Sequence, residues 1–218
     1  MFKRPVSWIF ALALALVLML SYMVGSYASA RSFPDVSGHW GESYIAALVE
    51  KGAISGMPDG KFYPDDTVTF AQLVTMIIRR EYGDIDPVGD HWASGYLQKA
   101  SEIGLLEIES DIDYQESDFS LGITRYDTAA IIRNALMLIY GEAEEPETDI
   151  VVLFEDYPSC KSCRASFQEN VGQVYLKGIM GGKPGPIFDG EATLTRAEAS
   201  VTILKLIDPS YRTPPEII

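Results

Sequence analysis

The sequence predicts an all-α fold: three helix–loop–helix repeats in a pseudo-threefold bundle, behind an N-terminal segment that is removed. Three observations predict it. One order of sequence blocks recurs three times along the chain. Each second helix is announced by a threonine three residues ahead of a glutamine or an acid. Behind each threonine the apolar residues fall at helical spacing.

The leader comes first. Lys3 and Arg4 precede an apolar run from Trp8 to about Val24, and Ala28 and Ala30 supply the small residues before a cut at Arg31. That three-part pattern is a secretory signal peptide over residues 1–30; a retained anchor is the other reading of the same run. Either way residues 31–218 lie outside the cytoplasm. Losing Lys3 and Arg4, and no acid, takes the net charge from -14 to -16. So acidic a chain repels phosphates and anionic lipid, which excludes nucleic acid and, after cleavage, a membrane surface as main partners.

Repeat 1 spans residues 33–82, repeat 2 residues 84–140 and repeat 3 residues 154–208, with 209–218 as a C-terminal tail. His39-Trp40 of the first falls on His91-Trp92 of the second at a shift of 52, and the third lacks the pair. In each repeat an amphipathic helix comes first: Tyr44, Ile45, Leu48 and Val49 share a face, as do Tyr96, Leu97, Ala100 and Ile103. Gly52, Gly104 and Gly178 then stop it, glycine being the usual residue past a helix end. A turn follows, clearest at Pro58-Asp59-Gly60. The second helices begin at Thr69, Thr124 and Thr195, paired with Gln72, Asp127 and Glu198 as capping boxes or near relatives. Phe70, Leu73, Val74, Ile77 and Ile78 form one buried stripe; Ala129, Ile132, Leu136 and Ile139 form the next.

Capping leaves Arg125 and Arg196 unexplained, because a cation just inside a helix start opposes the dipole. They are surface arginines or they meet an anion there. Cys160 and Cys163 form a short disulfide loop or remain free thiols, since a zinc site or a redox motif needs partners that no neighbouring segment supplies. No phosphate loop, nucleophile elbow or paired histidines on a helix face appear, and no two carboxylates stand apart as an acid pair, so the chain reads as no enzyme. Asp111 and Asp113 open like a calcium loop, but Glu116 stands where an EF-hand needs glycine. No cofactor is implied.

The blocks "FPDVSGHW", "GAISGMPDGKFYP" and "TRAE" resemble the S-layer homology family, over roughly Phe33 to Asp208. The resemblance implies grooves between neighbouring repeats that hold an anionic, pyruvylated cell-wall polysaccharide without a covalent bond, and a secreted location at the cell wall. Carried over by motif position, Arg196 and Arg125 are the candidate ligands of the acid group. Trp40, Trp92, Asp59, Gly60, Asp35 and Asp156 are the further carbohydrate-binding candidates, the glycine and aspartates equally being turn formers. Buried packing is the commoner fate of such tryptophans.

Departures from the pattern matter. Repeat 1 has Phe70-Ala71-Gln72 for Arg-Ala-Glu, and repeat 2 replaces the Gly-Asp-Gly turn with an acidic loop. Repeat 3 carries Lys161, Arg164, Lys177 and Lys183 as its basic portion. Two functions stay open: a wall-anchoring polysaccharide binder, centred on Arg196, or an assembly subunit of an envelope complex whose partner is another envelope protein and whose grooves have decayed.

Overall fold

The structure is a computed structural model in which residues 32–107, 116–146, 154–156 and 161–215 are described. The leader, Asp111, Asp113, Cys160 and the side chains of Lys161, Cys163 and Arg164 lie outside the described residues. Among those described there are six α-helices and no strand: α1 Glu42–Glu50, α2 Phe70–Tyr82, α3 Ser94–Glu102, α4 Arg125–Leu138, α5 Lys161–Leu176 and α6 Arg196–Ile207.

The helices end where the sequence says they should. Gly52, Gly104 and Gly178 all take φ between 68° and 76°, the left-handed turn that glycine enters without a Cβ penalty. Thr69 and Thr195 make full capping boxes with Gln72 and Glu198. At Thr124 the shorter Asp127 falls short of the backbone, and its carboxylate accepts instead from the threonine hydroxyl at 2.9 Å.

Packing joins the helices in a way that the repeat boundaries conceal. Each first helix lies against the second helix of the preceding repeat: α3 on α2, α5 on α4, and α1 on α6. The ring therefore closes between the first repeat and the last. Its axis is built from the residues just before the second helices, where antiparallel bridges join Thr67 to Thr195, Thr69 to Gly122 and Thr124 to Thr193. The residues between the bridged positions, Val68, Ile123 and Leu194, are buried at the centre. Extended, β-branched or leucine positions fit such a hub because their backbone amides need partners that no helix offers.

The C-terminal segment is folded back on the bundle. Arg212 forks both Nη groups onto Glu142, at 2.8 and 2.7 Å, a bidentate geometry that favours arginine over lysine. Lys51 of the first repeat meets Asp208 at 2.8 Å, tying the ends of α1 and α6 together.

Candidate functional site

The residue that follows each capping threonine decides what the inter-repeat contact is made of. Arg196 lies over the ring of Phe62 in the first repeat, Cζ 4.6 Å from the centroid, and its Nε donates to the Phe62 carbonyl at 2.7 Å. Arg125 repeats this on Phe188 of the third repeat, at 4.8 Å, with Nε donating to the Phe188 carbonyl and Nη2 to the Gly181 carbonyl. Phe70, in the same position of the first repeat, stacks on Phe119 of the second, centroids 6.2 Å apart. Three helix starts thus sit on three phenylalanines, two through a cation and one through an aromatic ring.

Both arginines are buried, Arg125 at 6% and Arg196 at 5% exposure. Burial pulls each guanidinium below its ordinary pKa, and nearby carboxylates push back: Asp66 and Asp35 on Arg196, Glu198, Asp189 and Asp156 on Arg125. Both remain cations at neutral pH. Their donors are not equally used. Arg125 has spent two nitrogens on carbonyls, whereas neither Nη of Arg196 has a partner among the described residues.

The amides of the helix starts themselves are closed to an anion. The first two amides of each second helix donate to carbonyls of the next repeat: Phe70 to Leu121 and Ala71 to Phe119, Arg125 to Ala192 and Tyr126 to Gly190, Arg196 to Asp66 and Ala197 to Pro64. The third donates to the capping threonine. Amides that a ligand would need are therefore holding the repeats together.

Asp35 and Asp156 act within their own repeats. The Asp35 carboxylate accepts from the amides of Phe62 and Tyr63, at 3.0 and 2.6 Å, and Asp156 accepts from Phe188 and Asp189, at 2.8 and 2.7 Å. Tyr63 and Asp189 are the two described non-glycine residues with left-handed backbone, φ 58° and 59°. Each aspartate is a staple across the strained residue beside the phenylalanine seat. Partial burial pushes the Asp35 carboxyl up, but the two amides outweigh it and hold its pKa below the ordinary value. Asp59 accepts from the Lys61 amide and the Tyr63 hydroxyl, and Gly60 takes φ 83° in open space, so this pair shapes a turn.

Trp40 and Trp92 are exposed, at 57% and 50%, each tilted against its preceding histidine. They depart from the buried packing common to aromatics in helical repeats. His39 and His91 are consumed in placing them, each Nδ1 accepting from the amide two residues on. Gly41 follows Trp40 and lies so near α6 that an added Cβ would stand 3.2 Å from that of Ala197. The first tryptophan thus flanks the start of the helix that carries Arg196.

Of the basic portion of repeat 3, Lys177 and Lys183 are neutralised. Lys177 meets Glu145 at 3.1 Å and Glu142 at 3.6 Å, and Lys183 meets Glu198 at 2.9 Å. No group of histidines, cysteines and acids able to hold a metal occurs among the described residues. Sequence reasoning passed over Phe62, Phe188 and Phe119, whose shared position after the central turn was the available signal.

The S-layer homology domain family matches residues 32–74. The chain is 27% identical over 198 residues to an S-layer protein of Bacillus licheniformis, covering 86% of this chain and 21% of that protein. It is 26% identical over 190 residues to an amylopullulanase of Thermoanaerobacterium thermosulfurigenes, covering 83% of this chain and 10% of that one. A cellulosome-anchoring protein of Acetivibrio thermocellus is 44% identical over 45 residues, covering 21% of this chain and 10% of that protein. The chain therefore spans only a minor part of each of these relatives.

Proposed function

The chain carries an S-layer homology domain at residues 32–74, and from that premise we propose that it is a non-catalytic module anchoring to the cell wall at the cell surface. Its ligand in this reading is an anionic wall polysaccharide, held without a covalent bond beside Arg196. The observation that carries the reading is the state of that side chain. Its Nε is fixed on the Phe62 carbonyl and its face on the Phe62 ring, while its two Nη nitrogens have no partner among the described residues. A guanidinium immobilised in this way offers a planar pair of donors to a carboxylate at little cost in side-chain freedom. Exposed Trp40 flanks the same helix start and supplies a flat apolar face for a sugar ring.

The test is co-sedimentation of the protein with purified wall, before and after its polysaccharide is stripped. Binding that vanishes with the polysaccharide and falls about tenfold in Arg196→Lys, a variant that keeps the charge but loses the fork, supports the reading. Trp40→Ala, at an exposed position, checks the sugar face without disturbing the core. Unchanged pelleting on stripped wall would sink the proposal. The assembly-subunit reading is favoured by one feature, the Phe70–Phe119 contact, in which the cation is replaced by packing.

A further inference from the structure

The imidazole ahead of each exposed tryptophan is held in one protonation state. The His39 side chain is only 13% exposed, and its Nδ1 accepts from the Gly41 amide at 3.0 Å. A backbone amide can only donate, so Nδ1 must carry a lone pair and the ring proton sits on Nε2. From there it donates to the Asp65 carboxylate at 3.2 Å. His91 repeats the first bond, its Nδ1 accepting from the Ala93 amide at 3.2 Å. Gly41 and Ala93 are the residues from which α1 and α3 start, and neither helix has a side-chain cap of its own.

An imidazolium cannot make this contact. With a proton on both nitrogens it has no lone pair left, and Nδ1–H would point at the N–H of Gly41. The ring has to turn away, and what it holds goes with it. Trp40 is tilted against His39 with ring centroids 5.3 Å apart. Gly41 is wedged where an added Cβ would stand 3.2 Å from that of Ala197, the neighbour of Arg196 in the chain. The charged groups on the elements around the imidazole are Asp65 and Asp66 from the turn before the hub, Arg196 from α6, and Glu42 from α1, whose carboxylate accepts from the Gly38 amide at 2.9 Å. Asp65, which pairs with the ring, is 82% exposed, so water screens its attraction for an imidazolium. The broken amide bond is the larger effect.

We infer that His39 is a positioning residue that makes wall binding sensitive to mild acid: when neutral it holds Trp40 beside Arg196, and when protonated it lets Trp40 go. The inference rests on the reading of Arg196 and Trp40 as the polysaccharide site and adds its regulation. The arginine cannot supply such a response, because its charge does not change in this range. Histidine is the side chain that does change there.

The experiment uses the full chain and two readouts. Nitrogen NMR of the imidazoles and amides needs no ligand: the Nε2–H tautomer is expected at about pH 7.5, with the Gly41 amide and the Trp40 indole shifting together as His39 protonates toward about pH 5. Co-sedimentation with purified wall at the same two pH values should show binding about fivefold weaker in acid, the scale of one lost positioning hydrogen bond. Asparagine keeps an acceptor for the amide two residues on and does not titrate. His39→Asn should therefore bind equally at both pH values, whatever its affinity, and His91→Asn should keep the acid loss. Acid loss that persists in His39→Asn, or a Gly41 amide that ignores the titration of His39, overturns the inference. Absence of binding already at about pH 7.5 sinks the Arg196 reading and this inference with it, whereas binding that ignores pH across this imidazole range sinks this inference alone.

Discussion

The opening segments of the first and second repeats carry the same His-Trp pair at the same distance from the helix that follows, yet they take different paths. Among the positions where they differ, that of Asp35 bears directly on the central turn. Asp35 accepts two amides of the central turn and closes repeat 1 over Phe62, and Pro87 accepts none. Repeat 3 follows repeat 1: Asp156 makes the same two bonds and Phe154 packs edge-on to Phe188 at 5.7 Å. A buried phenylalanine seat is thus only as closed as the carboxylate beneath it allows. The lesson is that a repeat can lose its local closure while keeping its place in the ring, because ring contacts use different atoms.

The widest break in this comparison is expected from truncating the seats. Phe62→Ala empties a fully buried site and removes the support of Arg196, and is expected to cost about 4 kcal/mol, read by urea unfolding. Phe119→Ala, at a seat already half open, should cost about half as much. Equal losses would mean that the two repeats are closed alike.

Gly95→Ala comes next. Alanine ordinarily favours a helix interior by about 1 kcal/mol, but here its Cβ strikes the Asp86 carbonyl. A net loss of about 2 kcal/mol is expected from this overpacking, and a gain in thermal stability would show that the rerouted segment is not held there.

Asp35→Asn keeps the size of the staple and removes its charge. A loss of about 1–2 kcal/mol is expected from weakened charged hydrogen bonds, together with rising exposure of Phe62 in hydrogen exchange at its amide. The cap at Thr124 is worth less: Thr124→Ala should cost about 1 kcal/mol, no more than Thr69→Ala, whose cap is a full box.

The smallest effect is in acid. Because the folded pKa of Asp35 is held below its ordinary value, its contribution is complete above that value and lost as pH falls through the lower folded one. Asp208, held down to about 2 by Lys51 and Ser210, behaves likewise over the same acid range. An acid unfolding curve for Asp35→Asn should therefore be shallower below about pH 4 than that of the unaltered chain. Identical slopes would remove Asp35 from the titrating groups.

Much of this was legible in the residue order. Helix starts and stops, the threefold recurrence and the buried stripes all rest on local rules, in which a threonine, a glycine or an apolar period acts on its own few neighbours. The candidate site was legible only in part. Arg125 and Arg196 stood out because a cation at a helix start is locally unfavourable, but what they rest on lies 63 and 134 residues away.

The sequence by itself determined six helices, their caps and the acidic character of the chain, because those depend on spacing and composition. Tertiary structure alone decided that first helices pack on the preceding repeat, that helix-start amides are spent on neighbouring carbonyls, and that Trp40 and Trp92 face solvent. Those outcomes depend on which distant backbone reaches a given donor first. A long-range hydrogen bond leaves no period in the chain from which it can be read.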